Sequence, residues 1–321
     1  MIMQESLSHI RTDLAIESAE SFSGDESALS GVIVRERSDE DSHIRVTHVH
    51  IKNEQGARQL GKPVGRYITL ETPYLAEEDG DYHKEITEAL MEQLEELIPN
   101  VRSKKILVVG IGNREITPGA LGPMVVDHLF ITRHLINEYG KDSKVTKGFG
   151  VVSAIAPGVM AQTGMEGREV IHGIVAETKP DVAIVIDALA ARSVNRLNTT
   201  IQLTDTGISP GAGVGNHRHG LDEKTLGIPV IAIGIPTVID AATIVNDTMN
   251  SLMDVLEQHG LYKEVYESTK GFDDQEKYML MRELMAPEMA NMFVTPKDID
   301  QTIGKISYTI SEAINSLCHD L

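Results

Sequence analysis

Tryptophan is absent from the 321 residues and only 4% are aromatic, which leaves little surface for stacking nucleobases or sugar rings. Basic residues are scarce as well. Lysine and arginine number 29 against 48 aspartates and glutamates, a formal charge of −19. Phosphate binding needs a cationic face, so nucleic acid is not expected as a direct partner. The acidity reads as solubility, and it would attract a basic protein. The lone cysteine, Cys318, excludes an internal disulfide and fits a reducing compartment. No stretch approaches the roughly 20 apolar residues of a membrane span. The acidic start MIMQESLSHIRTDLAIESAE lacks the apolar core of a secretory signal.

Catalytic signatures are thin too. There is no G-x-S-x-G elbow, and Cys318 lies near the end of a terminal helix, so serine and cysteine nucleophiles are not expected. The phosphate-binding lysine loop is missing, and the G-x-G-x-x-G pattern has Glu115 at its third glycine, so no nucleotide cofactor is expected. His217 and His219 flank Arg218 in a glycine-rich loop. A histidine pair without a third ligand falls short of a catalytic zinc site, and these read as solvated loop residues.

What is present centres on Lys104–Pro123, KKILVVGIGNREITPGALGP. Its apolar run reads as a strand buried on both faces, followed by a glycine turn and a helix with Thr117 as cap and Pro118 at the first position. The helical spacing continues through LGPMVVDHLFITRHL. Further buried strands are expected at Asp181–Arg192, DVAIVIDALAAR, and at Ile228–Asp240, IPVIAIGIPTVID, the latter ending at Gly234 and Pro236. Gly148–Val159 gives another strand, residues 165 to 178 a helix, and His83–Ile98 an amphipathic helix with Ile86, Leu90, Leu94 and Leu97 in one stripe. Residues 30 to 72 read as a small antiparallel meander, and 199 to 206, TTIQLTDT, as an exposed-edge strand. Residues 207 to 220 read as a loop, 241 to 260 as a helix, 261 to 273 as irregular and 274 to 287 as helical. The last helix is expected to begin with Thr295 as cap and Pro296 at the first position. The fold class is therefore α/β, a mainly parallel sheet flanked by helices with an N-terminal meander. Ligands are expected at the carboxyl ends of its strands. Asp187, where the run AIVID ends, is either a partly desolvated functional carboxylate or the N-cap of a helix ALAAR.

Taken together, GIGN, ITP.ALGPMVVDHL, ITRHL, VSAIAPGVM, TGME, VIDALAARS, GISPGAGVGN and TLGIPVIAIGIPTVIDA resemble the germination proteases of endospore-forming bacteria. RTDLAIE and MFVTPKDID resemble that family as well, so the likeness covers nearly the whole chain in order. The resemblance implies a fold like that of the hydrogenase-maturation endopeptidases. It also implies an aspartate-dependent, cytoplasmic homotetramer of the forespore and spore core, made as a zymogen, that degrades small acid-soluble spore proteins. No cofactor or metal is implied. Of the family's two proposed catalytic aspartates, one falls on Asp187. The other belongs to T-P-D-A-L-G-P, which here reads Thr117-Pro118-Gly119-Ala120-Leu121-Gly122-Pro123.

Two neighbouring carboxylates divide into acid and base because their pKa values split. Glycine at 119 supplies neither, so activity is expected to be weak or lost. Glu115 lies in the same turn, and Asp127 lies deeper in the helix. The family also cuts its own N-terminal segment at a site of substrate type, an acidic residue followed by apolar-Ala-x-Glu. Asp13-Leu14-Ala15-Ile16-Glu17 fits, which divides the chain into a pro-segment, 1–13, and a single protease domain, 14–321. Alternatives left open are a metal-assisted peptidase of the same fold with Asp187 as ligand, and a non-catalytic binder of spore proteins.

Overall fold

A computed structural model describes residues 12–20, 30–39, 43–77, 79–211, 219–258, 279, 283–286, 289 and 292–320. Residues 1–11, His217 and Arg218, and nearly all of the stretch expected to be irregular and then helical, 261–287, lie outside the described residues.

The described elements run in chain order as follows: α1 (Ala15–Glu20), β1 (Val32–Asp39), β2 (Ile44–Ile51), α2 (Glu54–Leu60), β3 (Gly65–Glu71), α3 (Gly80–Leu97), β4 (Lys105–Gly110), α4 (Leu121–Asp127), α5 (Arg133–Tyr139), β5 (Val151–Ile155), α6 (Met160–Thr163), α7 (Gly167–Thr178), β6 (Val182–Ala191), β7 (Thr200–Thr204), α8 (Glu223–Leu226), β8 (Val230–Asp240), α9 (Ala241–Gln258), β9 (Phe293–Val294) and α10 (Ile299–Cys318). They build an α/β molecule around one nine-stranded sheet, ordered β1-β2-β3-β7-β8-β6-β4-β5 with β9 on β8. The strands β5, β4, β6 and β8 are parallel. From β8 onward through β7, β3, β2 and β1 the pairing is antiparallel. The expected meander is therefore the far half of the same sheet.

Strand periodicity divides the core. On β4, Ile106 and Val108 pack with α3, α4 and α10 on one face, and Leu107 and Val109 pack with Ile171 and Val175 of α7 on the other. This two-sided burial is what continuous apolar runs encode. The stripe on α3 is buried at Ile86, Leu90, Leu94 and Leu97 as expected. On α10, Ile299, Ile303, Ile306, Ile310, Ile314 and Leu317 form a matching buried stripe.

Several expectations are corrected. Strand β7 is interior, paired to β3 and β8, and each of its residues is buried. Its alternation reflects a polar face covered by another part of the chain. Strand β6 continues through Asp187 to Ala191, so there is no helix ALAAR for Asp187 to cap. Strand β8 passes Pro236 and runs to Asp240, with a register shift opposite Leu189 and Ala190 that leaves Thr237 as the extra residue. A bulge is how a central strand accommodates the missing proline N–H. The helix after β4 breaks into α4 and α5, and a separate 3-10 turn, Thr117–Gly119, precedes α4 without Thr117 acting as a side-chain cap. At the last helix the cap position is Asp298, and the Thr295 hydroxyl instead donates to the Thr237 carbonyl at 2.8 Å.

Candidate active site

Strand β4 ends at Gly110, opposite Ile186. The first residue beyond it, Ile111, donates its N–H to the Ile186 carbonyl at 2.8 Å. On an extended strand, every second residue presents its N–H and C=O to the same side. Ala190 therefore offers its pair on the flank that β4 has vacated, and Asp13 takes both. The Asp13 N–H donates to the Ala190 carbonyl at 3.1 Å, and the Ala190 N–H donates to Asp13 Oδ2 at 2.9 Å.

The segment that follows is equally fixed. The Gln202 carboxamide on β7 donates to the Asp13 carbonyl at 3.1 Å and accepts the Ala15 N–H at 2.7 Å, bridging the Asp13–Leu14 peptide. Lys62, just past α2, donates to the Thr12 carbonyl at 3.0 Å. Leu14 is fully buried against Leu189 and Ile208, contributing about 2 kcal/mol of apolar burial. Glu17 accepts the backbone N–H groups of Arg192 at 2.8 Å and Ser193 at 2.9 Å. Arg196 approaches Glu17 at 3.5 Å, Glu20 at 2.6 Å and Glu71 at 3.0 Å. Burial opposes the charge on Arg196, but its bonds to Glu20 and Glu71 outweigh that and hold its pKa above the ordinary value.

Asp187 lies on β6 with its carboxylate accepting the Ala188 N–H at 2.9 Å, and it is 7% exposed. It lines a cleft of about 250 Å³ together with Asp13, Lys62, Leu189 and Gln202. Lys62 is half-buried as a residue, yet enclosure of its ammonium lowers its pKa, partly offset by the charges of Asp13 and Glu17. Three of the residues singled out from sequence, Asp13, Leu14 and Asp187, are thus neighbours of one cleft or of its wall. Lys62, Gln202 and Arg196 carried no sequence signal.

The turn bearing Gly119 packs at the same end of the sheet, against β6 and β8. The bulged Thr237 anchors it, donating from Oγ1 to the Pro118 carbonyl at 2.7 Å. Gly119 does not itself line the cleft. A β-carbon added there would meet nothing nearer than the Asn113 nitrogen at 3.9 Å, so the backbone admits a side chain. Gly112 differs, with φ +133° and a would-be β-carbon 1.9 Å from the Gly119 carbonyl oxygen. Of the other nearby acids, Asp127 is held by Arg114, whose hydrogen bond keeps its carboxyl below the usual range. Glu115 is exposed in the turn.

Elsewhere, His219 pairs with Glu166 at 2.8 Å. Burial pushes the Cys318 thiol up to about 12. Among the described residues, no group of three or more His, Cys, Asp or Glu is placed to hold a metal ion. No described helix is long and apolar enough to cross a membrane.

A sequence model of the germination protease family matches residues 10–272. The chain belongs to the germination protease family. The germination protease of Clostridium perfringens is 44% identical over 309 residues, covering 96% of this chain and 94% of that protein. That of Caldanaerobacter subterraneus is 45% identical over 307 residues, covering 95% and 93%, and that of Bacillus velezensis 39% over 349 residues, covering 97% and 94%. Among solved structures, the NiFe hydrogenase maturation protease HycI of Thermococcus kodakarensis aligns with a TM-score of 0.30 and 21% identity, covering 45% of this chain and 80% of that one. As a member of the germination protease family the chain is a peptidase, and its substrate is protein.

Proposed function

We propose that this germination protease family member is the self-processing endopeptidase that begins the breakdown of small acid-soluble spore proteins in the spore core. It is proposed to be a cytoplasmic homotetramer, made as a zymogen whose pro-segment is residues 1–13. The observation that supports the reading is the fixing of the Asp13–Leu14 peptide at the cleft lined by Asp187, with Gln202 bonded to the Asp13 carbonyl and the Ala15 N–H.

In the proposed reaction, Asp187 takes a proton from water as the oxygen attacks the Asp13 carbonyl carbon. A second acid then protonates the Leu14 nitrogen while the carbon–nitrogen bond breaks. Position 119 is where that acid belongs in the family pattern, and glycine leaves the step without its donor. The chain as written is accordingly weakened or inactive.

Gly119→Asp is the direct test. Intact-mass measurement after incubation should show loss of residues 1–13 from Gly119→Asp, and persistence of the full chain in the parent and in Gly119→Asp/Asp187→Asn. Normal processing by the parent chain would remove the two-carboxylate mechanism. Glycine at 119 also supports a second reading, a binder that retains spore proteins without cutting them. Binding by both chains with cleavage by neither would favour it.

A further inference from the structure

The N-terminal segment is held by side chains that the hydrolytic step does not use. Each contact corresponds to one position of the sequence around the Asp13–Leu14 bond. The carboxylate before the bond takes the Ala190 N–H and shares its cleft with Lys62, whose ammonium donates to the adjoining Thr12 carbonyl. Leu14 and Ala15, after the bond, are fully buried. Glu17, fourth after the bond and 3% exposed, meets two backbone N–H donors and the Arg196 guanidinium.

The Thr12 hydroxyl also donates to Glu17, and apart from that hydroxyl the site presents fixed donors only, so it suits an ionised carboxylate. A glutamine there would turn an amide NH₂ toward a donor, and leaving one buried group unpaired is costly. Asp13 likewise accepts a backbone N–H and has the Lys62 ammonium in the same cleft.

We propose that Lys62 and Arg196 determine which protein segments the cleft accepts. Lys62 selects an acid immediately before the bond and Arg196 a glutamate fourth after it, while Gln202 holds the intervening backbone. The segment 12–17 then displays, within its own chain, the pose of a substrate. This rests on the reading of RTDLAIE as a substrate-like site.

Binding tests it without chemistry, and Gly119 keeps the probe intact. In full-length Leu14→Asp the chain's own segment no longer seats, because a charge replaces a fully buried leucine. A fluorescein-labelled RTDLAIESAE peptide is titrated against this protein by anisotropy, beside versions carrying Gln for the Glu17 equivalent or Asn for the Asp13 equivalent. Each substituted peptide should bind about tenfold more weakly. Adding Arg196→Gln to the protein should erase the glutamate preference alone, and adding Lys62→Met the aspartate preference alone.

Equal affinity for the three peptides, or no saturable binding, overturns the proposal. If a double variant fails to fold, the peptide comparison on Leu14→Asp still decides. Cleavage is scored separately. A Gly119→Asp chain that cuts without discriminating removes this inference and spares the protease reading, and discrimination without cutting does the reverse.

Discussion

The carbonyl oxygen of Gly119 accepts the backbone N–H of Asn113 at 2.9 Å, which closes the turn across the end of β4 while leaving position 119 open for a side chain. Gly112, on the other strand of that turn, is bound to be glycine by its own backbone. Two glycines a few residues apart therefore have opposite tolerances. Gly119→Asp should change the unfolding free energy by less than about 0.5 kcal/mol, and Gly112→Ala should cost about 1–3 kcal/mol. Urea unfolding of the two variants checks this, and equal losses would contradict the contrast.

Removing Arg196 should be expensive for stability. It is 9% exposed and serves three carboxylates, including the buried Glu17. Arg196→Met is expected to cost about 3 kcal/mol, the size seen when one partner of a buried ionic group is lost. A midpoint in urea indistinguishable from the parent would show that the network is decorative.

Lys62 should leave a mark on alkaline stability. Its folded pKa lies below the ordinary 10.5, chiefly through burial. Between those two values the unfolded chain holds a proton that the folded chain lacks, so stability rises with pH through that window and the penalty is full below it. Lys62→Met removes the effect. Unfolding measured in steps from pH 8 to 11 should show the parent gaining on the variant, and parallel curves would refute the assignment.

Cys318 should resist thiol reagents. With its pKa near 12 and 1% exposure, its thiolate fraction at pH 8 falls about a thousandfold relative to an ordinary cysteine. Iodoacetamide should label the protein only after denaturation, as read by mass.

The runs IVID, AIGIP and ILVVG were legible as buried strands because two-sided burial writes itself as unbroken apolar sequence. The stripe on α3 was legible for the same reason at helical spacing. Strand β7 misled because Thr200, Gln202 and Thr204 are polar, which normally marks an exposed face. Here Gln202 and Thr204 line the cleft, and the N-terminal segment satisfies Gln202. Strand β6 runs past Asp187, as the reading of Asp181–Arg192 as one strand expects; the rival helix ALAAR arose because a carboxylate inside a buried strand has no local rationale, and the cleft beside it supplies one. Lys62 and Arg196 meet residues far along the chain, Thr12 and Glu17 among them, and no spacing rule reaches across such separations. The pairing of Asp13 with Ala190 joins two stretches whose proximity no local pattern could reveal.

Gln202 has one further implication. Its planar amide sets a donor against the carbonyl preceding the Asp13–Leu14 bond and an acceptor against the N–H that follows it. A polypeptide laid in the opposite direction would meet donor with donor and acceptor with acceptor until the carboxamide turned over about its last side-chain bond. In the orientation it holds, this one side chain grips the backbone of the strand that enters the cleft, independently of the amino acids that strand carries.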